Sequence, residues 1–271
     1  MEARTEFSRI VPRLRRYARL VSGKQQVGDE LVVATLEALE HVNPSALGRP
    51  SVSHLFQLLS RIWNSEGYVL GPNGARTPDQ SSGASKTRRA LARQAALLTT
   101  VEGLSVAATA EILDMTPTTV RRLKDQVDDH DKSMPSADVL IIEDELFVAT
   151  DLEDIVTDMG HRVIGLAATR RDAVAMARRD QPTLILADIA LADGSSGLDT
   201  AHDILGMLPV PIIFITAYPE RLLTGLRPEP TFLIEKPFRS AVVRATIGQA
   251  LAHARPDNDQ PKAATGAKVP A

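Results

Sequence analysis

The chain contains no cysteine, so it holds neither a disulfide nor a thiolate metal site. No run of about 18 apolar residues occurs, and a transmembrane helix is therefore not expected. The first twenty positions, Met1 to Leu20, are broken by arginines throughout and lack the apolar core of a signal peptide. Together these absences point to the cytoplasm. Net charge is also scarce, only −3 over 271 residues, which leaves little drive for non-specific DNA binding by phosphate neutralisation. What remains, 44% hydrophobic and 24% charged residues, is an ordinary soluble composition, long enough for two domains with their own cores.

The charge is unevenly divided. Met1 to Lys132 carries 18 Lys+Arg against 15 Asp+Glu, whereas Ser136 to Ala254 carries 10 against 17. The acidic half is suited to holding a cation or a basic neighbour. Two stretches of turn and linker chemistry divide the chain further: Gly71-Pro72-Asn73-Gly74 with Thr77 to Gly83, and the polar run Asp128 to Pro135. The expected organisation is a helical lobe over 1–66, a linker over 67–84, a second helical lobe over 85–128, a linker over 129–135, an α/β domain over 136–254, and a disordered tail over 255–271.

Apolar residues in the first half recur every three or four positions. Examples are Ile10, Leu14, Tyr17, Leu20 and Val21, then Leu55, Leu58, Leu59, Ile62 and Trp63. Thr116-Pro117 has the form of a helix cap followed by proline at the first helical position. This half reads as all-α, in two lobes. From Ser136 the pattern changes to short apolar runs, Val139–Ile142, Val163–Leu166, Leu184–Ala187, Ile212–Ile215 and Phe232–Ile234, mostly separated by helical segments. Fully apolar strands alternating with helices imply a five-stranded parallel sheet, doubly wound in the flavodoxin-like manner.

Functional groups in such a sheet gather beyond the carboxyl ends of the strands. Those ends carry Glu143 and Asp144 after the first strand, Asp188 after the third, Thr216 after the fourth, and Lys236-Pro237 after the fifth. Clustered carboxylates repel by about 4 kcal/mol per pair at about 4 Å and an effective dielectric of about 20. A hard cation such as Mg²⁺, together with Lys236, neutralises them. A carboxylate held there can attack the phosphorus of a phosphohistidine donor and form an acyl phosphate. Thr216 can then donate its hydroxyl to a phosphoryl oxygen and move the loop behind it. One aspartate at a strand end is usually only a cap. Five suitable residues gathered at four of the five strand ends are a functional constellation.

The runs Ile142-Glu143-Asp144-Glu145, Leu186-Ala187-Asp188-Ile189, Phe214-Ile215-Thr216-Ala217 and Glu235-Lys236-Pro237-Phe238 resemble the receiver domain of two-component response regulators, across Ser136 to Ala254. The resemblance implies that Asp188 is the phosphoacceptor and that a sensor histidine kinase is the donor. It further implies that Asp144, Asp188 and the backbone carbonyl of Ala190 bind Mg²⁺, with Glu143 acting through water. Thr216 is then the switch hydroxyl, and Lys236 contacts the phosphoryl group beside a cis peptide to Pro237. Many receivers carry an aromatic three positions before the lysine. Here that position is Leu233, and Tyr218 is the aromatic near Thr216, read either as packing or as part of the switch.

Thr99 to Leu123 has a helix-turn-helix pattern that resembles region 4 of extracytoplasmic-function sigma factors, and Ile10 to Arg19 with Gly28 to Val32 resembles their region 2. A sigma-like half ahead of a receiver is similar to the PhyR family of general-stress regulators of alphaproteobacteria. That resemblance implies partner switching: phosphorylation frees the sigma-like half from the receiver, the freed half captures an anti-sigma protein of the NepR type, and the true sigma factor is released. It implies no catalytic activity beyond the phosphorelay, and no Ser/His or Cys/His nucleophile pair accompanies the carboxylates. The alternative is a phosphorylation-dependent DNA-binding regulator. Against it, Asp114, Asp125, Asp128 and Asp129 surround Arg121, Arg122 and Lys124 of the recognition helix. Trp63, on an apolar helical face, reads as core. Arg13, Arg15, Arg16 and Arg19 read as a solvated helix face rather than a DNA contact.

Overall fold

The computed structural model describes residues 2–41, 51–65, 69–70, 76–77, 83–132, 134–191, 194, 196–225 and 229–254. The expected disordered tail lies outside the described residues, as does most of the first linker.

Among the described residues, six helices build the first half: α1 (Glu2–Ser22), α2 (Gln25–His41), α3 (Val52–Ser65), α4 (Gly83–Thr100), α5 (Val106–Ile112) and α6 (Pro117–Lys132). The periodic positions become the core. Leu14, Tyr17 and Leu20 of α1 pack with Leu55, Phe56 and Leu59 of α3, and the Tyr17 and Phe56 rings meet edge to face at 5.2 Å. Trp63 is buried in the same core, as its apolar face implied. The helix-turn-helix is capped at both starts. Ser105 Oγ accepts from Ala108 N at 3.1 Å ahead of α5, and Thr116 Oγ1 accepts from Thr119 N at 3.2 Å ahead of α6. Asp114, at φ 54°, makes the left-handed turn between them.

Two features depart from the expected layout. The first linker contains a short antiparallel pair, β1 (Val69–Leu70) and β2 (Arg76–Thr77), so this half is not wholly helical. The second linker is mostly helix, because α6 runs on to Lys132. Asp131, in that extension, lies 3.8 Å from Arg93 of α4.

The second half is the doubly wound sheet. Strands β3 (Asp138–Ile142), β4 (Arg162–Ala167), β5 (Leu184–Asp188), β6 (Ile212–Thr216) and β7 (Phe232–Glu235) are parallel, in the order β4-β3-β5-β6-β7. Alternate residues serve opposite faces. Val139, Ile141, Leu186, Ile213 and Ile215 join one core with α7 (Leu146–Asp158) and α10 (Ser240–Ala254), whereas Leu140, Ile142, Ile185, Ala187 and Phe214 join another with α8 (Arg170–Asp180) and α9 (Gly197–Leu205). Among the described residues, the gap between β6 and β7 is not filled by an α-helix. The described residues hold only a 3-10 turn, Pro219–Leu222, started by its proline, and Leu223 follows it as buried coil.

The first core does not stop at the sheet. It continues through α1 and α4 into the helical half, which rests on β7 and α10. The four α1 arginines read as a solvated face are in fact the polar part of these junctions. Arg19 is wholly buried, and Arg16 is nearly so. Arg13 and Arg16 both donate to Glu102, in the loop after α4, at 2.9–3.2 Å, which ties the two helical lobes together. Arg15 donates to the Leu223 carbonyl at 2.9 Å, across the seam between the halves. A helix pattern shows which positions are polar but not which distant carboxylates they meet.

Candidate functional site

Each expected site residue lies at the carboxyl edge of the sheet. Asp188 ends β5 and Thr216 ends β6; Glu143 and Asp144 follow β3 directly, and Lys236 follows β7 with a cis bond to Pro237. Parallel register sets these ends side by side, with Ile142 opposite Ala187, and Thr216 opposite Glu235. Glu143, Asp144 and Asp188 can each point one carboxylate oxygen into a space where those atoms lie within 4.8 Å of one another.

Lys236 closes this group. Its Nζ lies 2.7 Å from Asp188 Oδ2, 2.9 Å from Glu143 Oε2 and 3.4 Å from Glu145 Oε1. Burial alone would depress the ammonium, but its hydrogen bonds to Asp188 and Glu143 outweigh that and raise its pKa. Burial pushes the Glu143 carboxyl up to about 7; the Lys236 hydrogen bond opposes the rise and the Asp188 charge adds to it. The second Asp188 oxygen accepts from the backbone N–H groups of Ile189 at 2.5 Å and Ala190 at 3.2 Å. An isolated bridge between Ala190 and Ser196 fixes that turn. Gly197, at the start of α9, is needed for this approach, because any Cβ there would overlap the Asp188 carbonyl oxygen.

This donor set, three carboxylates and no sulfur or imidazole, suits a hard divalent cation. Thr216 is buried, and its Oγ1 accepts from Tyr218 N at 3.1 Å, which leaves the hydroxyl hydrogen free to be donated. Lys236 N donates to the Thr216 carbonyl at 2.7 Å, which ties the two strand ends together. The Tyr218 ring is more than half exposed, with the Arg221 guanidinium 4.6 Å from its centre; it is not core packing. Leu233, at the position where many receivers carry an aromatic, is buried.

A second polar cluster lies behind that loop, and the sequence did not single it out. Arg19 donates to both oxygens of Asp29 at 2.9 Å, to Glu229 Oε2 at 2.5 Å, and to the carbonyls of Pro230 at 3.0 Å and Leu222 at 3.3 Å. Burial would raise the Glu229 carboxyl, but hydrogen bonds from Thr224, Arg19 and the Gly225 backbone hold it below its ordinary value. Nothing local to Glu229 and Pro230 in the sequence marks their remote arginine.

Three family models match the chain in order: the Sigma2 domain of PhyR over residues 8–58, the sigma-like domain of the response regulator PhyR over 89–128, and the response regulator receiver domain over 139–248. The chain is 48% identical to the phyllosphere-induced regulator PhyR of Methylorubrum extorquens, over 89% of this chain and 91% of that one. It is similar to the crystal structure of the response regulator PhyR from Brucella abortus, with TM-score 0.78 and 38% identity, covering 93% of this chain and 95% of that one. It is likewise similar to the anti-anti-sigma factor PhyR from Bartonella quintana, with TM-score 0.77 and 41% identity, covering 92% and 96%. That Bartonella protein has also been crystallised with the anti-sigma factor NepR.

Proposed function

The chain belongs to the PhyR family of response regulators, and from that premise we propose that it is a phosphorylation-activated anti-anti-sigma factor. Phosphorylation at Asp188 releases the helical half from the receiver half, and the released half captures an anti-sigma protein of the NepR type. The true sigma factor is thereby freed. The observation that carries this reading is the burial of the sigma-like α1 against the receiver, by way of Arg19 and Glu229. In this arrangement the unmodified protein hides the surface on which a partner would compete.

Asp144, Asp188 and the carbonyl of Ala190 would hold Mg²⁺, with Glu143 acting through a water. When bound, the ion supplies positive charge to the equatorial oxygens of the transferring group. The chain's own residues do the rest. An Asp188 oxygen bonds to phosphorus as the P–N bond of a kinase phosphohistidine breaks, and the imidazole departs with the electron pair and is protonated by solvent. Lys236 stabilises the charge on the transferred oxygens. Thr216 donates to a phosphoryl oxygen in the acyl phosphate, which pulls on the segment through Tyr218 to Leu222. The carbonyls of Leu222 and Leu223 at the far end of that segment accept from Arg19 and Arg15. Two sites are thus joined by one short stretch of backbone. Taking such an equilibrium from 1:99 to 99:1 needs about 5.5 kcal/mol, which modification and partner binding share.

The arginines of α1 speak against promoter recognition by that helix. Arg13, Arg16 and Arg19 are engaged by Glu102, Asp29 and Glu229 rather than presented to phosphate. A pull-down of a NepR-type protein by the unmodified, beryllofluoride-treated and Asp188→Ala chain tests the proposal. Capture only by the treated wild type supports it, and equal capture by all three rejects phosphorylation as the trigger.

A further inference from the structure

We propose that Glu145 is a positioning residue that competes with the phosphoryl group for Lys236, and so sets how readily Asp188 is modified and how long it stays modified. The inference rests on Asp188 being the phosphoacceptor. An ammonium group has three N–H donors, and in the unmodified protein three carboxylates surround Lys236: Asp188, Glu143 and Glu145. Its donor set is therefore complete before any phosphoryl group arrives, and at least one carboxylate must give way.

The three differ in freedom to do so. The side chains of Glu143 and Asp188 are 0% and 9% exposed, and withdrawing either from Lys236 would leave a charge buried without its counterion. The Glu145 side chain is 64% exposed and can swing into water at little cost. Its backbone is pinned at the mouth of the pocket, because Glu145 N donates to Glu143 Oε1 at 3.3 Å. The residue is also the N-cap of α7, yet its side chain makes no capping hydrogen bond. A side chain at that position ordinarily accepts from the first turn of the helix. Here it leans toward Lys236 instead.

Modification reverses the preference. Once Asp188 is an acyl phosphate, its carboxylate charge is gone and a group carrying about two negative charges stands at the mouth. That group repels Glu145 and takes its N–H donor. Hydrolysis restores the first state: a water oxygen bonds to phosphorus, the acyl oxygen leaves as the Asp188 carboxylate, and inorganic phosphate departs. Glu145 thus favours the unmodified side of the cycle, and removing its charge while keeping its length should favour the modified side.

The test uses the full chain with Mg²⁺ and acetyl phosphate as donor, with Asp188 modification read by intact mass. Glu145→Gln should lower the donor concentration for half-modification by about two- to fivefold and lengthen the acyl-phosphate half-life similarly, the scale of one exposed charge pair. Glu145→Asp, which keeps the charge but shortens the reach, should fall between Glu145→Gln and wild type. Mg²⁺ binding should move the opposite way, weakening in Glu145→Gln because a negative charge leaves the rim; a merely structural change would not split the two readouts. Unchanged half-modification and half-life in Glu145→Gln overturn this inference alone. Failure of the wild type to accept phosphate at Asp188 overturns it together with the phosphoacceptor reading.

Discussion

Arg19 of the sigma-like half, wholly buried, meets Glu229 of the receiver half at 2.5 Å. Removing one member of a buried ion pair costs up to about 3–5 kcal/mol, and less here because Arg19 keeps Asp29 as a counterion. Glu229→Gln should therefore open the unmodified protein. Capture of the anti-sigma partner without any phosphodonor should rise about tenfold or more. Arg19→Met should act in the same direction, and it leaves Glu229 with its Thr224 and Gly225 donors. Partner capture that still needs a phosphodonor in both variants would show that this pair does not hold the halves closed.

The two helical lobes depend on a different carboxylate. Glu102, whose side chain is fully enclosed, accepts from both Arg13 and Arg16. Glu102→Ala should destabilise the chain by about 2–3 kcal/mol, since both arginines retain some access to water. A denaturant titration measures this. A change below about 0.5 kcal/mol would mean that the clamp contributes nothing.

The proposed phosphoacceptor pocket should be sensitive to pH through Glu143. Its carboxyl is raised to about 7 in the folded protein from 4.5, so between those values the folded state holds more protons than the unfolded one. The metal-free protein is favoured below about pH 4.5 by this group, and loses that contribution as pH rises through about 7. Mg²⁺ requires the ionised form, so its affinity should climb by up to about tenfold per pH unit below 7 and flatten above it. Calorimetric titration with Mg²⁺ at several pH values checks the slope. Glu143→Gln should abolish it.

How much of this was legible in the sequence follows from how local each signal is. β3, β5, β6 and β7 announce themselves because buried parallel strands are continuously apolar, and their ends then place Asp188, Thr216 and Lys236 without any coordinates. Caps such as Ser105 and Thr116 lie within a few residues of the groups they bind. The α1 arginines were misread because Glu102 and Glu229 are remote in sequence, and an arginine paired across a seam has the same helical spacing as one in water. Asp128 to Lys132 resembled linker for the same reason: Asp131 meets Arg93 only once α4 and α6 are packed. Glu145 sat within a recognised motif, but its reach toward Lys236 depends on how β7 comes to rest beside β3's carboxyl end, across two intervening strands.

The pocket at the sheet's edge has one primary consequence, and intact-mass spectrometry reads it directly. Incubated with Mg²⁺ and a phosphorylated histidine kinase or acetyl phosphate, the wild-type chain should gain a single phosphoryl group, labile to hydroxylamine, that peptide mapping places on Asp188. Asp188→Asn should gain none. A wild-type chain that stays unmodified, or a label that persists in Asp188→Asn, would contradict the account at its base.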